Sequence, residues 1–257
     1  MRWQLLAPCS VALLAAAMAT CGAAARGTSG DGRIRVLVVT GGHDFDKQGF
    51  LSLFAGLPDV EFRHVSHPVP DDLYAGQFDA LVLYDMYQAI TDRQKADLQA
   101  AIKGGKGLVV LHHALGNYQE WPEYEKIIGG RYYLSERVVG GALHPRSTYQ
   151  HGVKVTVRVA DKRHPVLRGI GDFEIVDEVY ALYDVAPTAK PLLRVSHPQS
   201  AEVVAWTHQY GKGRVVCIQL GHDQTAYSNP SYRRLVANAI RWVAQADPLR
   251  RQPRRLH

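Results

Sequence analysis

Residues 34–45 read Ile34-Arg35-Val36-Leu37-Val38-Val39-Thr40-Gly41-Gly42-His43-Asp44-Phe45, and this stretch decides the fold. The run 34–40 is apolar and β-branched apart from Arg35 and Thr40, the pattern of a strand buried on both faces. Gly41-Gly42 turns the chain, and Phe50, Leu53 and Phe54 then recur at helical spacing. A buried strand, a tight turn and a helix form the opening unit of a parallel sheet covered by helices.

The same unit repeats downstream. Residues 60–65 predict a second strand and 80–84 a third, which ends at Asp85. Thr91 is a natural N-cap for a helix over 92–103, with Leu98 and Ile102 on one face, and Gly104-Gly105 ends it. Residues 107–111 predict a fourth strand, which delivers His112-His113. The expected fold class is therefore α/β, a mostly parallel sheet with helices on both faces. Residues 129–152, rich in Gly, Tyr and Arg, read as a long loop or excursion. Strand signals return at 153–159, 192–195, 202–206 and 214–220, with Tyr210-Gly211-Lys212-Gly213 as a hairpin turn. A helix over 232–244, bearing Leu235, Val236, Ala239, Ile240 and Val243, closes the chain. No internal repeat is visible, so one domain over 34–246 is expected.

Composition agrees with a folded body. The 257 residues are 46% apolar and 21% charged, which excludes wholesale disorder. The formal charge of +6 suggests nucleic acid until the charges are located. Four arginines against one aspartate in 247–257, together with Arg2, carry most of the excess. The remaining body is nearly neutral, so no nucleic-acid partner is expected. The tail reads as a solvated, disordered end.

The first 25 residues read as an export signal, one basic residue followed by a short apolar stretch and small residues. Met18-Ala19-Thr20-Cys21 resembles a lipobox that would leave Cys21 lipidated, and Ala23-Ala24-Ala25 offers an ordinary cleavage site instead. Both readings put the body outside the cytoplasm of a bacterium, periplasmic or anchored to a membrane only through Cys21. A Gly/Ser linker follows over 26–33. Cys217 is then alone in the body, inside the apolar run Val215-Val216-Cys217-Ile218, and reads as a buried small hydrophobe.

In an open α/β sheet, ligands bind where the strands end. The first strand delivers His43 and Asp44, the fourth His112 and His113, and the last His222 and Asp223. His144 comes from the excursion, and Asp177 and Glu178 follow Val176. Imidazole and carboxylate ligate zinc and similar metals and act as general acids and bases near neutral pH. His43, His113 and His222 are the candidate cluster. Consecutive strand residues point apart, so one of His112 and His113 is expected to face the site. Asp44 and Asp223 are expected to orient the neighbouring His or to cap helices. His64, His67, His151, His164, His197, His208 and His257 receive the structural reading, hydrogen-bonded to loop backbone. Tyr118, Trp121, Tyr132, Tyr133, Tyr149 and Tyr227 suit either a sugar site or loop anchoring. A P-loop, a dinucleotide glycine fingerprint and C-x-x-C are all missing, so no nucleotide cofactor is expected.

Four segments, in order, resemble the trehalose-utilisation (ThuA-like) family. They are Val39-Thr40-Gly41-Gly42-His43-Asp44-Phe45; then Leu111-His112-His113-Ala114 with Trp121-Pro122-Glu123-Tyr124 and Gly129-Gly130-Arg131-Tyr132; then Asp177-Glu178 with Tyr180. The last is Tyr210-Gly211-Lys212-Gly213-Arg214-Val215, running into Leu220-Gly221-His222-Asp223 and Asn229-Pro230. The resemblance implies a flavodoxin-like sheet of the class I glutamine amidotransferase kind. The turn Leu111-His112-His113-Ala114-Leu115-Gly116 lacks the thiol of an amidotransferase, which excludes a Cys thioester mechanism.

The resemblance also implies carbohydrate catabolism, in which a partner sugar dehydrogenase first oxidises a disaccharide or glycoside at C3. A 3-keto group acidifies the C2 proton, so the glycosidic bond can open by β-elimination and rehydration. The expected catalytic residues are His113, Glu178, His222 and Asp223. His43, His113, His222 and Glu178 would hold a divalent metal, zinc or similar. Asp44, His112, Trp121, Tyr132, His144 and Tyr227 would contact substrate. A two-carboxylate glycosidase fits poorly, because Asp177 and Glu178 are adjacent and cannot flank a sugar from opposite sides. A non-catalytic sugar-binding protein on the same fold is the alternative. Oligomeric state is open.

Overall fold

The computed structural model describes residues 32–244. The expected leader, most of the linker and the basic tail lie outside the described residues. The opening strand is β1 (Ile34–Gly41), followed by α1 (Lys47–Ala55), β2 (Val60–Ser66) and β3 (Ala80–Asp85). Next come α2 (Asp92–Lys103), β4 (Gly107–Leu111) and α3 (Pro122–Ile128). Thr91 and Gln94 close a reciprocal capping box at the start of α2, which satisfies two otherwise orphaned amides.

The segment expected as a loop contains short strands, β5 (Gly130–Arg131), β6 (Arg137–Val139) and β7 (Ala142–His144). Gly140 and Gly141, both at positive φ, form the two-residue turn that pairs β6 with β7. Three-residue strands are too short to leave a periodic signal. The second half supplies β8 (Thr148–Val159), β9 (Phe173–Ala181), β10 (Asp184–Val185), β11 (Lys190–Val195), β12 (Val203–Tyr210) and β13 (Gly213–Ile218). The chain closes with α4 (Gln224–Ser228) and α5 (Pro230–Val243).

Nine strands form one sheet in the order β2-β1-β3-β4-β13-β12-β11-β8-β9. The first five run parallel, a flavodoxin-like arrangement whose direction of strand succession reverses between β1 and β3. The remaining strands add an antiparallel wing. Val36 and Val38 of β1 pack with α1 and α5 on one face, Leu37 and Val39 with α2 and α3 on the other. Burial on both faces explains why β1, β3 and β4 are continuous apolar runs, whereas β8 alternates with Val153, Val155 and Val157 inward. The parallel register aligns the carboxyl ends of β1, β3, β4 and β13, and the candidate polar residues stand at that edge.

Candidate functional site

The core of the site starts at the end of β4. His112 has φ 45°, in the left-handed region that costs a non-glycine residue roughly 1–3 kcal/mol. That turn breaks the strand alternation, so both His112 and His113 reach the same cluster rather than pointing apart. The sequence expectation that one of the two would face away is corrected by this single backbone angle.

β3, β9, α4 and the segment after β13 converge on the pair. Glu178 of β9 places Oε2 2.7 Å from His112 Nε2 and 3.2 Å from His222 Nδ1. One ligand atom from each of His112, His113, Glu178 and His222 lies within 4.8 Å of the others. The His112 Nδ1 donates to the Gln219 carbonyl, which turns Nε2 inward, and the Tyr180 ring stacks on the imidazole at 4.6 Å. Gln219 follows β13, whose Ile218 is in register with Leu111 of β4. His222 is held by its backbone: Asp177 accepts from the amides of Gly221 (2.6 Å), His222 (2.9 Å) and Glu178 (2.8 Å). The hydroxyls of Tyr84 and Tyr227 both donate to the His222 carbonyl at 2.9 Å.

The electrostatics divide the cluster. Burial and the surrounding imidazoles of His112, His43, His222 and His151 push His113 far below the usual histidine range, so it is neutral. Burial raises the Glu178 carboxyl, but hydrogen bonds from His112 and His222 and their charge outweigh it, and the group stays ionised. The hydrogen bond to Glu178 raises His222 against the opposing effect of burial. Asp177 is pushed up by burial and partly restored by the nearby His112 and the amides it caps. Neither ring nitrogen of His113 has a hydrogen-bond partner among the described residues, although both are buried.

The other candidates are distributed unevenly. His43 is exposed, stacks on His113 at 3.8 Å and donates from Nδ1 to the Asp44 carbonyl, so it flanks the group in which it was expected as a ligand. His112 occupies the expected place of His43. Asp44 is exposed and meets His43 through its backbone. Asp223 does not orient the His222 ring, because its carboxylate caps α4 through the amides of Thr225 and Ala226. Tyr227 touches the site through the His222 carbonyl, and Tyr132 lies one layer back, 4.7 Å from the Tyr180 ring. His144 pairs with Asp184 and rests on Tyr133, so its partners are structural. Trp121 lines a separate cavity and is not among the cluster's neighbours. Cys217 is fully buried with its thiol on the Ile128 carbonyl, and burial pushes that thiol up.

His151 received only a structural reading from sequence. The ladder between β8 and β9 shifts register between Gln150 and Val153, and this bulge sets His151 Nδ1 3.3 Å from Glu178 Oε1. Its ring lies 4.7 Å from His222. The mark beside it in the sequence is Gly152, which closes the segment read as a loop and in the structure takes a positive φ inside β8. His67 also goes beyond loop support, since it pairs with the buried Asp85 at 2.8 Å.

Among solved structures, a ThuA-like protein of Parabacteroides merdae superposes with a TM-score of 0.69 at 17% identity, over 86% of this chain and 94% of that one. A ThuA-like protein of Bacteroides uniformis gives 0.64 at 18%, over 87% and 96%. A GMP synthase component of Thermoplasma acidophilum gives 0.53 at 12%, over 86% and 98%. At such identities the likeness establishes the fold. No curated protein matches the chain. The family model for trehalose utilisation matches residues 35–243, and the chain therefore belongs to the ThuA family.

Proposed function

We propose that this chain cleaves glycosides of oxidised, 3-keto sugars at a cation-holding histidine site. The observation that carries the reading is His113, whose two buried nitrogens lack partners among the described residues although a ligand atom of His113 lies within 4.8 Å of those of three other ligand groups. An unmet buried polar group costs about 1–3 kcal/mol, and a cation on one nitrogen removes that cost. His112 supports the same inference. With Nδ1–H committed to Gln219, its Nε2 faces Glu178 Oε2 at 2.7 Å, the Tyr180 hydroxyl at 3.0 Å and His222 Nδ1 at 3.2 Å, a convergence that a cation between the carboxylate and the imidazoles would satisfy. Three imidazoles and one carboxylate fit a zinc-type cation held by His112, His113, His222 and Glu178. When bound, such a cation supplies Lewis-acid polarisation of a carbonyl oxygen.

The flanking residues suit the proton transfers. His43 spends Nδ1–H on Asp44, which leaves Nε2 as the basic nitrogen at the exposed rim. It takes the proton from C2, the C2–H electron pair becomes the C1=C2 bond, and C1–O breaks. His151, beside His222 and Glu178, delivers a proton to the departing oxygen. Water then adds across the double bond to release the keto sugar. The export-signal reading of residues 1–25 supports placing this chemistry outside the cytoplasm, and the 3-keto substrate calls for a sugar dehydrogenase as the pathway partner.

The test is metal content of the purified protein beside a His113→Ala/His222→Ala variant, followed by turnover of 3-keto-glycosides with and without chelator. The expected result is about one divalent cation per chain, lost in the variant, with chelator-sensitive turnover. Failure of the wild-type protein to retain metal after loading removes the cation from the reading. Saturable binding of a 3-keto-glycoside that is lost in the His113→Ala/His222→Ala variant, with no turnover, would establish the non-catalytic alternative.

A further inference from the structure

A second polar constellation lies at the other end of the parallel edge, where strand succession reverses. His67, directly after β2, and Asp85, the last residue of β3, meet across the end of β1 at 2.8 Å, with side chains 2% and 0% exposed. They meet because position 41 is glycine: a Cβ there would lie 2.9 Å from the His67 backbone nitrogen. Asn117 donates to the other Asp85 oxygen at 2.7 Å, and Tyr87 stacks on the imidazole at 4.1 Å. The carboxylate thus commits His67 Nε2 as a donor and leaves Nδ1 as the free nitrogen. Nδ1 has no hydrogen-bond partner among the described residues, and the side chain lines a cavity of about 450 Å³.

The walls of that cavity state what it accepts. Tyr87 and Trp121 supply aromatic surface, and neither the Tyr87 hydroxyl nor the Trp121 indole N–H has a partner among the described residues. Lys95, the only lysine among the described residues that line it, is tied to Asp92 at 2.9 Å, while Asp71 and Glu120 make the rim acidic, so an anion is disfavoured. Asp85 and Asp71 are themselves engaged, by His67 and Asn117 and by Thr91 respectively, so no unpaired carboxylate calls for a cation. Aromatic faces with a hydroxyl acceptor and scattered donors match a ring that is apolar on its faces and hydroxylated at its edge. The volume lies at the small end of ligand pockets, about 300–1,000 Å³. The geometry points to a second ligand site here, binding a neutral mono- or disaccharide whose ring lies on Trp121 and Tyr87 and whose hydroxyl donates to His67 Nδ1. The site is separate from the histidine cluster: none of the cluster's four ligand groups lines it.

The experiment is calorimetric titration of the purified protein with glucose and trehalose, beside adenosine and inorganic phosphate. Trp121→Ala removes the platform, and His67→Gln keeps a donor toward Asp85 while deleting the Nδ1 acceptor. Saturable binding of a sugar but not of adenosine or phosphate is expected, weakened at least tenfold in each variant, with metal content unchanged. His113→Ala is expected to bind the sugar as the wild type does. The proposal is overturned by absence of saturable sugar binding, by preference for adenosine, or by binding unchanged in both cavity variants. Sugar binding lost in His113→Ala but kept in the cavity variants also overturns it while leaving the cation reading intact.

Discussion

The Nε2 of His112 lies 2.7 Å from the Oε2 of Glu178, while its other ring nitrogen donates to the Gln219 carbonyl. An imidazole anchored by a backbone carbonyl and aimed at a carboxylate has its tautomer and direction set before any ligand arrives. Glu178→Gln keeps the shape of this contact and removes its charge. Zinc affinity is expected to fall by more than the ~10–100-fold typical of losing an outer partner, read by competition with a chromophoric chelator.

Asp177 accepts three backbone amides, two of them from the turn that presents His222. Asp177→Asn retains only one acceptor oxygen and leaves an amide unmet in a buried place. Stability is expected to drop by about 1–3 kcal/mol, read by denaturant unfolding. Zinc affinity should weaken with it, because the His222 turn loses its anchor.

His43 stacks on His113 but is not one of the converging ligand groups. His43→Ala is therefore expected to keep the metal while slowing turnover by ~10²–10⁴-fold, the usual worth of a general base. Loss of metal in this variant would return His43 to the ligand set.

Gly41 sits at φ 120° with the His67 backbone beside the place a Cβ would take. Gly41→Ala meets both the torsional penalty and a 2.9 Å contact with backbone. A destabilisation of at least about 1–3 kcal/mol is expected, measured by thermal or denaturant unfolding.

His164 accepts the Val166 amide through Nδ1 at 3.2 Å, a role open only to the neutral ring, and burial lowers its affinity for a proton. Above its unfolded value of about 6.5 the ring is neutral in both states, and its contribution to stability is fully present. As pH falls below that value the unfolded chain binds the proton first, and the contribution declines toward the lower folded value. His164→Asn offers an uncharged cap, so its melting temperature should change less between pH 8 and pH 5.5 than that of the wild type.

The legible part of this molecule is the part held by local patterning. Residues 34–40, 80–84 and 107–111 show as strands because burial on both faces forces continuous apolar runs. The helix over 92–103 shows because Thr91 caps it, Leu98 and Ile102 share one face and Gly104-Gly105 stops it. The β6–β7 hairpin escaped because three residues carry no period. His151 escaped because a register shift, rather than a spacing, aims it at Glu178.

The sequence by itself determined an α/β sheet, the carboxyl edge as the place for chemistry, and histidine as its principal side chain. Only the tertiary structure decided which histidines share a centre. The left-handed backbone at His112 brings into the ligand group a residue expected only as a substrate contact, and the pairing of Ile218 with Leu111 supplies the carbonyl that orients it. The β8 bulge and the Asp177 anchor set the remaining partners, and Asp85 draws His67 into a different cavity. Apolar periodicity is a property of neighbours along the chain. A ligand set depends on distances between strands far apart in sequence and on single torsions, and neither leaves a local pattern to be read.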